Sequence, residues 1–372
     1  METIRILHIL HSMNRGGAEN ALMNFYRHID RSKVQFDFLL TDHNRTQFED
    51  EIEELGGKIY RIPRLNILSI ASYINGIKQF LQQHPEYRII HSHTSSKSFF
   101  PLWVGKRLNI PIRIAHSHAA RNAKGIKGIG QTILKPFLYC VATHKVACGI
   151  DAAIWLYGKK SYEKGKCLIF KNVIETGKFS FNSRVRDYIR KKYNIDNNTV
   201  VIGCIGRLCY QKNQQFALKI LSELHNMKYK ACLFLIGIGE DEEMLRNLSD
   251  KLNVNNQVIF TGVVSNSQDF YQAFDLFLLP SLYEGLPLVL TEAQVSGLRC
   301  IASDTIDRGA DLTGLVDFLS LKETPGFWAN HIKGLIPYER KDRIADLIRN
   351  GFDAKTTAHD LQQFYIDCLK KS

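Results

Sequence analysis

The sequence contains no apolar run approaching the roughly 18–20 residues that a membrane-spanning helix requires. Its first ten residues, METIRILHIL, have neither the basic leader nor the small-residue cleavage site of a signal peptide, so we interpret them as a first strand. The 8 cysteines form no C-x-x-C pair, and most of them lie in apolar segments. We therefore expect a cytoplasmic globular protein with reduced thiols and without a disulfide framework or a cysteine metal site.

Acidic residues are scarce in the first half of the chain. Residues 1–172 contain 25 Lys and Arg against 13 Asp and Glu, whereas residues 173–372 contain 24 of each kind. The imbalance is strongest in residues 88–171, where 15 basic residues face only Asp151 and Glu163. Such a one-sided field attracts phosphate groups, as in nucleic acid, an anionic lipid or a diphosphate-bearing substrate. A generic solubilising surface is the alternative, although solubility alone does not require clustered charge.

Apolar segments of strand length alternate with amphipathic segments of helix length along the whole chain of 372 residues. This alternation predicts an α/β protein with two doubly wound, Rossmann-like domains. We place the first domain at residues 1–177, a polar linker at 178–198 and the second domain at 199–355. Residues 356–372 are predicted to form a terminal helix.

Ligands of doubly wound sheets bind at the carboxyl ends of the strands. His93 follows the predicted fourth strand, and His116 and His118 lie around the end of the fifth. A single histidine is more often structural, but two consecutive strand ends favour at least one ligand contact. Gly16 and Gly17 precede the first helix, where a glycine backbone approaches a phosphate closely. The pattern is not G-x-G-x-x-G, so a dinucleotide fingerprint is not supported.

Residues 121–135 are rich in glycine and lysine, lack an acidic residue and become amphipathic from Ile129. The pattern predicts a mobile basic loop that enters a helix ending near Val141. Such a segment suits a membrane surface or an anionic acceptor, and a solvated loop is the equally weighted alternative.

Glu284 and Glu292 flank a Gly-Leu-Pro turn and a short apolar run. The pattern predicts a loop that carries Glu284 and a helix, started near Pro287, that carries Glu292 in its second turn. Both carboxylates would then lie near the positive end of that helix. Each glutamate alone is more simply a surface residue, but the combination is specific.

Arg207 and Lys212 follow another predicted strand and flank the entry to a helix. Two cations beside a helix N-terminus are suited to a diphosphate, whose charge they stabilise as it develops on a leaving group. Ionised carboxylates accept hydrogen bonds from the vicinal hydroxyls of sugars. Together, the cations and the two glutamates indicate a nucleotide-sugar site.

Three motifs in the second half occur in one order: G-R-L-x3-K-N at 206–213, F-T-G at 260–262 and P-S-x2-E-G-L-P-x4-E-A at 280–293. With G-G-A-E at 16–19 and the histidines after the fifth strand, the chain resembles a family 4 retaining glycosyltransferase with the GT-B fold. The resemblance covers essentially the whole chain and is strongest for bacterial capsule and exopolysaccharide transferases. It implies two Rossmann-like domains that face a cleft, with the C-terminal helix packed back on the N-terminal domain.

The resemblance also implies roles for individual residues. Arg207 and Lys212 would bind the donor diphosphate, and Glu292 would hold the nucleotide ribose. Glu284 would bind the transferred sugar, with His118 beside it as a further catalytic residue and His116 as the alternative. The remaining substrate contacts would come from Gly16, Gly17, Gly262, Gly285, Leu286, Pro287 and Leu288.

The expected activity is retaining, metal-independent transfer of a hexose from a nucleotide-sugar, most simply a UDP-sugar, to a saccharide acceptor. A lipid-diphosphate-linked acceptor fits capsule or exopolysaccharide synthesis, and residues 88–171 would dock the enzyme peripherally on the inner face of the cytoplasmic membrane. No cofactor and no nucleic-acid partner are expected. The alternatives are another GT-B reaction such as epimerisation, or a non-catalytic nucleotide-sugar-binding partner. The family often has proline and glutamate where Asp307 and Gly309 stand, which affects the expected donor specificity.

Overall fold

The computed structural model describes residues 3–14, 16–66, 69–118, 126–284 and 286–371. The chain divides into two compact units. The first comprises Met1–Val173 and Gly351–Ser372, and the second comprises Ile174–Asn350. Each unit is built on its own parallel sheet, as the alternating sequence pattern predicts.

The described residues of the first unit form a seven-stranded parallel sheet in the order β3-β2-β1-β4-β5-β6-β7. The central strands are largely buried because helices cover both sides of a parallel sheet. The strand order reverses between β1 and β4, which makes their carboxyl ends a switch point for ligands. The strands are β1 (Ile4–Leu10), β2 (Val34–Leu40), β3 (Ile59–Arg61), β4 (Ile89–Ser92), β5 (Ile112–Ser117), β6 (His144–Ala147) and β7 (Leu168–Ile169).

Helices connect these strands in the crossover pattern of a doubly wound sheet. They are α1 (Gly17–His28), α2 (Glu49–Glu54), α3 (Ile70–Gln83), α4 (Phe99–Arg107), α5 (Ile126–Val141), α6 (Ile150–Tyr157) and α7 (Lys159–Glu163). α5 lies in the segment interpreted from sequence as a basic loop entering a helix. The part of that loop at 119–125 lies outside the described residues, and the helix begins at Ile126, ahead of the predicted amphipathic start at Ile129.

The described residues of the second unit form a six-stranded parallel sheet in the order β10-β9-β8-β11-β12-β13. Its strands are β8 (Val200–Ile205), β9 (Ala231–Ile236), β10 (Val258–Gly262), β11 (Leu276–Leu279), β12 (Arg299–Ser303) and β13 (Val316–Leu319). Its helices are α8 (Thr176–Phe179), α9 (Ser183–Lys192), α10 (Gln214–Asn226), α11 (Glu242–Lys251), α12 (Ser267–Ala273), α13 (Leu288–Val295), α14 (Pro325–Leu335) and α15 (Ile344–Arg349). The switch point lies between β8 and β11.

The polar segment 178–198, which we expected to be a linker, belongs to the second unit. It contains α9, which packs against α12. Arg186 and the buried Arg190 both form ion pairs with Asp275, at 2.5 and 3.1 Å. The charged composition that suggested a linker therefore reflects partners on the helix–strand connection at Asp275, which a local pattern cannot show.

The terminal helix α16 (Ala354–Lys370) belongs to the first unit and packs against α1. Gln362 accepts a hydrogen bond from the Asp30 backbone N–H at 2.7 Å. Tyr365 is fully buried, and its hydroxyl lies 2.6 Å from His91 Nδ1. The expectation that the C-terminal helix packs back on the N-terminal domain is confirmed.

Candidate active site

The two loops that carry the sequence motifs of the second unit meet at its switch point. β8 and β11 are neighbours in the sheet, so the loops that follow them start side by side. The Leu282 N–H donates to the Gln211 carbonyl at 2.8 Å, and the Asn213 side chain donates to the Pro280 carbonyl at 3.0 Å. These hydrogen bonds join the G-R-L-x3-K-N segment to the glutamate segment and fix the distance between them.

The loop after β8 depends on a glycine. Gly206 has a φ of +147°, which favours glycine. A Cβ at this position would lie 3.1 Å from Lys212 Cε, so the absence of a side chain lets the lysine stem pass over the backbone. Asn213 adopts a left-handed conformation at the start of α10, a position that asparagine tolerates. The motif residues thus set the path of Lys212.

Lys212 and Glu284 form the central ion pair of the site, with Nζ 2.7 Å from Oε1. Their side chains are only 17% and 8% exposed, so the pair is poorly screened by solvent. Ser281 Oγ donates to the same carboxylate oxygen at 2.7 Å. The Gln211 amide lies 3.4 Å from the second oxygen. Glu284 is therefore held in one position by three neighbours.

Arg207 lies on the same loop but takes a different partner. Its guanidinium forms an ion pair with Glu240 at 3.0 Å, and both side chains are largely exposed. An exposed pair of this kind contributes little stability, typically about 0–1 kcal/mol. Arg207 can therefore exchange Glu240 for a phosphate at little energetic cost. The Gln214 side chain donates to the Arg207 carbonyl at 2.9 Å and steadies the backbone.

Glu292 lies in the second turn of α13, where the sequence placed it. Burial raises the pKa of its carboxyl from the ordinary 4.5 to about 7, although a hydrogen bond from Tyr271 acts in the opposite direction. The Tyr271 hydroxyl donates to Oε2 at 2.7 Å. The carboxyl is thus positioned by one fixed donor and titrates close to neutral pH.

The turn between the glutamates leads into α13. Pro287 is buried and takes the N-cap position, one residue before the helix begins at Leu288. Leu286 and Leu288 are partly buried, and Gly285 lies outside the described residues. Gly262 ends β10 with a φ of +68°, and its carbonyl accepts the Gly237 N–H at 3.0 Å.

The departure at Asp307 and Gly309 has a local structural explanation. The Asp307 side chain accepts the Gly309 N–H at 2.7 Å and caps a single turn at Arg308–Ala310. A Cβ at residue 309 would lie 2.7 Å from the Asp307 carboxylate, so the two residues fit each other. In this chain the Asp307 carboxylate therefore forms a hydrogen bond within its own turn.

In the first unit, Gly16 is the N-cap of α1 and Gly17 is its first residue. A Cβ on Gly17 would meet no atom within 4 Å, so the helix start is open at that point. The Glu19 carboxylate lies directly against Gly16, where the Cβ of any other residue would clash with its oxygen. Burial raises the pKa of Glu19.

His116 and His118 lie together, with ring centroids 4.0 Å apart. Both line a small cavity with Ala18 and Ala21 of α1, so the structure brings the G-G-A-E segment next to the histidines. Burial lowers the pKa of His118 to about 4, opposed by hydrogen bonding to Asn172. His118 is therefore a neutral imidazole at physiological pH.

Several residues that form hydrogen bonds or ion pairs with the predicted site residues were not predicted from the sequence. These are Tyr271 beside Glu292, Ser281 and Gln211 beside Glu284, and Glu240 beside Arg207. His8 and His91, which join the histidine cluster, were also not predicted. The repeated His-Ser-His at 91–93 and 116–118 was an available signal, because residues two apart on a strand point to the same face.

The chain matches proteins of known family along nearly its whole length. A family model described as "Glycosyl transferases group 1" matches residues 185–312. EpsF of Bacillus subtilis (strain 168), a protein assigned as a glycosyltransferase, is 32% identical over 97% of this chain and 96% of its own. The chain belongs to the group 1 glycosyltransferases. The family segment includes Arg207, Lys212, Glu284 and Glu292.

A second relative in the family is the capsular polysaccharide biosynthesis glycosyltransferase CapH of Staphylococcus aureus. It is 24% identical over 98% of this chain and 99% of its own. Among solved structures, Anabaena Alr3699/HepE in complex with UDP and glucose superposes with a TM-score of 0.77 at 16% identity, covering 98% of this chain and 100% of that one. This likeness confirms the predicted fold, which is that of the GT-B glycosyltransferases.

Proposed function

We propose that the protein transfers a hexose from a UDP-sugar, with retention of anomeric configuration, to a saccharide acceptor in capsule or exopolysaccharide synthesis. The observation that carries this proposal is the Lys212–Glu284 pair at the switch point of the second unit. A cation for the diphosphate and a carboxylate for the sugar hydroxyls are thereby fixed 2.7 Å apart. The relative CapH supports the pathway, and the UDP and glucose bound to HepE support the donor.

The proposed chemistry follows from the charges of these side chains. Lys212 and Arg207 stabilise the negative charge that develops on the leaving diphosphate, the role that a divalent ion fills in other transferases. Glu284 accepts hydrogen bonds from hydroxyls of the transferred sugar, with the backbone at Leu286 and Leu288 beside it. Glu292 accepts the ribose hydroxyls. The leaving diphosphate takes the proton of the acceptor hydroxyl, so the scheme requires neither a protein nucleophile nor a metal.

Groups of the first unit are also proposed to bind substrate. The open start of α1 at Gly17 offers backbone N–H groups, which bind anions well at a helix N-terminus. His118 is proposed to contact a sugar hydroxyl of the substrate, with His116 as the alternative, because both rings line one cavity next to α1. A neutral imidazole in this position donates or accepts one hydrogen bond with a sugar hydroxyl.

A thermal-shift screen with UDP-, GDP- and ADP-glucose tests the donor. Ligand at about 100 times its dissociation constant stabilises a folded protein by about 2.7 kcal/mol, so the true donor should raise Tm by several degrees. We expect the UDP-sugar to give the largest shift. A shift with GDP- or ADP-glucose alone would contradict the proposed nucleotide.

Product analysis then separates transfer from the alternative reactions. With an acceptor saccharide present, we expect UDP release and an NMR anomeric signal that matches the configuration of the donor sugar. Conversion of the donor sugar to its epimer without any acceptor would favour the epimerase. Binding without turnover, in the presence of a range of lipid-linked acceptors, would favour a non-catalytic partner.

The proposal that the acceptor is linked to a lipid diphosphate rests on the outer face of α5. Ile129, Ile133 and Phe137 recur every four residues and are 62%, 58% and 50% exposed, so an apolar stripe faces solvent. Neighbouring α4, which packs against α5, ends in the exposed cations Lys106 and Arg107. Within the described residues, no helix combines the length and hydropathy needed to span a bilayer. Apolar side chains flanked by cations suit peripheral binding to an anionic leaflet.

The double substitution I133E/F137E is expected to weaken binding to phosphatidylglycerol-containing vesicles by at least about tenfold, since burying each side chain is worth roughly 1.5–3 kcal/mol. Vesicle co-sedimentation at increasing salt measures this. Binding of the unmodified protein should also fall as salt rises. The matched control is Ile348→Glu, which changes an isoleucine that is 43% exposed on α15. Binding that is insensitive to salt, to anionic lipid and to the double substitution would remove the membrane from the proposal.

A further inference from the structure

Five histidines of the first unit form one buried cluster. They come from three adjacent strands of the sheet and the residues that follow them: His8 from β1, His91 and His93 from β4, and His116 and His118 from β5. His8 and His91 are directly paired across β1 and β4. Because residues two apart point to the same face, the paired strands place all five rings on one side of the sheet.

Ring nitrogens in this cluster approach one another closely. His93 Nδ1 lies 2.9 Å from His118 Nε2, and the rings of His116 and His118 have centroids 4.0 Å apart. His93, His116 and His118 each have one ring nitrogen that could bind an ion, and these three nitrogens all lie within 4.8 Å of one another. Three imidazoles bound to one tetrahedral ion at about 2.0–2.1 Å would have nitrogens about 3.3 Å apart. Small adjustments of the rings would therefore suffice.

The surrounding residues suit metal ligation. His93 Nε2 lies 2.9 Å from His8 Nδ1, so a proton on His93 Nε2 can be donated to His8 while Nδ1 faces an ion. Such a second partner fixes the tautomer of a ligating histidine. In the same way, His116 Nδ1 lies 3.1 Å from His91 Nε2, and His116 Nε2 is buried without a hydrogen-bond partner among the described residues.

The histidines also line a space of the right size. The cavity has a volume of about 10 Å³, close to what a single water molecule occupies, and it also borders Asn172 and Tyr365.

We propose that His93, His116 and His118 bind a divalent transition-metal ion of the zinc class, with one coordination position left for water. Imidazole nitrogens prefer zinc, copper and nickel over magnesium or calcium. We still expect sugar transfer itself to need no metal, and the proposed ion site is separate from that expectation. If His118 contacts the sugar, a bound ion also slows transfer; that consequence rests on the proposed function and is not used as the test.

His8, His91 and His93 form a second group with nitrogens within 4.8 Å, which shares His93 with the first. His91 is less suited to bind an ion, because Nδ1 is engaged by the Tyr365 hydroxyl at 2.6 Å and Nε2 by His116. We therefore infer that His8 and His91 do not bind the ion themselves. They orient the ligands His93 and His116 through hydrogen bonds.

Zinc titration of the chelator-treated full chain by calorimetry tests the site. We expect one ion per chain, and a loss of affinity of roughly 100-fold or more in His118→Gln and His116→Gln. His8→Gln should lose less affinity than His118→Gln, because His8 acts only through His93. His359→Gln, an exposed histidine on α16, is the matched control and should bind like the unmodified protein.

The absence of zinc binding in the unmodified chain would overturn the proposal, as would unchanged binding in His118→Gln. If His8→Gln abolished zinc binding while His118→Gln retained it, the ion would be bound by His8, His91 and His93 instead. That result would also overturn the proposal. Circular dichroism checks that each variant is folded. Independently of any variant, Co²⁺ in the unmodified protein should show the intense visible absorption of a four-coordinate ion, and a weak octahedral spectrum would contradict the assignment.

Discussion

Replacing Lys212 with alanine is expected to lower kcat by about 10²–10³-fold while the protein remains folded. The lysine ammonium lies 2.7 Å from the Glu284 carboxylate and is 17% exposed. In the proposed reaction it stabilises charge that appears on the diphosphate only as the sugar leaves, so its removal acts on kcat more than on KM. The measurement is release of nucleoside diphosphate under saturating donor and acceptor.

The matched control is Lys219→Ala, which removes an exposed lysine from neighbouring α10. It should retain full activity. Glu284 keeps its hydrogen bond from Ser281 in Lys212→Ala, so circular dichroism and thermal unfolding should show a native fold. Full turnover by Lys212→Ala would refute the assignment of Lys212 to the donor diphosphate.

Replacing Glu292 with glutamine is expected to raise the KM for the donor by about 10–100-fold with little change in kcat. An ionised carboxylate accepts hydrogen bonds from both ribose hydroxyls, each worth roughly 1.5–3 kcal/mol, whereas an amide offers one acceptor oxygen. The ribose is bound equally in the ground state and the transition state, so KM changes. Initial rates over a range of donor concentrations measure it.

The pKa of Glu292 adds a pH dependence to this prediction. With that pKa at about 7, the donor KM of the unmodified enzyme should rise as pH falls below neutrality, because protonation removes acceptor capacity. The donor KM of Glu292→Gln should be flat over the same range. Glu243→Gln, an exposed glutamate on α11, is the control and should keep the pH profile of the unmodified enzyme. A donor KM independent of pH in the unmodified enzyme would contradict ribose binding by Glu292.

The same carboxyl affects stability with a defined sign. Its pKa is higher in the folded state than the ordinary 4.5, so the folded protein binds this proton more tightly. The resulting contribution is present below pH 4.5 and is lost as pH rises to about 7, by at most about 3 kcal/mol. Urea unfolding without donor at pH 5 and pH 8 measures the difference. In Glu292→Gln the free energy of unfolding should decline less between pH 5 and pH 8, because the contribution of this carboxyl is absent.

Much of the fold followed from local sequence patterns. The buried strands β1, β2, β8 and β9 lie in segments of strand length that are rich in apolar residues. The four-residue strands β6 and β13 were missed, because His144–Ala147 and Val316–Leu319 are too short and too mixed in composition to signal a strand. They become strands because they pair with β5 and β12.

The candidate site was also predictable only in part: the positions of its main residues followed from the sequence, and their partners did not. Motif order and the position of residues after strand ends placed Arg207, Lys212, Glu284 and Glu292, and predicted the start of α13 within about one residue of Pro287. The roles assigned to these residues remain predictions. Their partners were not predictable, because Lys212 and Glu284 are 72 residues apart and meet only through the order of strands in the sheet.

The alternation of strands and helices, the family motifs and the excess of basic charge in the first half are properties of neighbouring residues, so they could be predicted before the fold was known. The hold of Lys212 and Ser281 on Glu284, the support of Glu292 by Tyr271 and the convergence of five histidines became visible only in the folded chain. Those contacts depend on which strands become neighbours. Strand order is selected by burial over the whole sheet, which no short segment of sequence specifies.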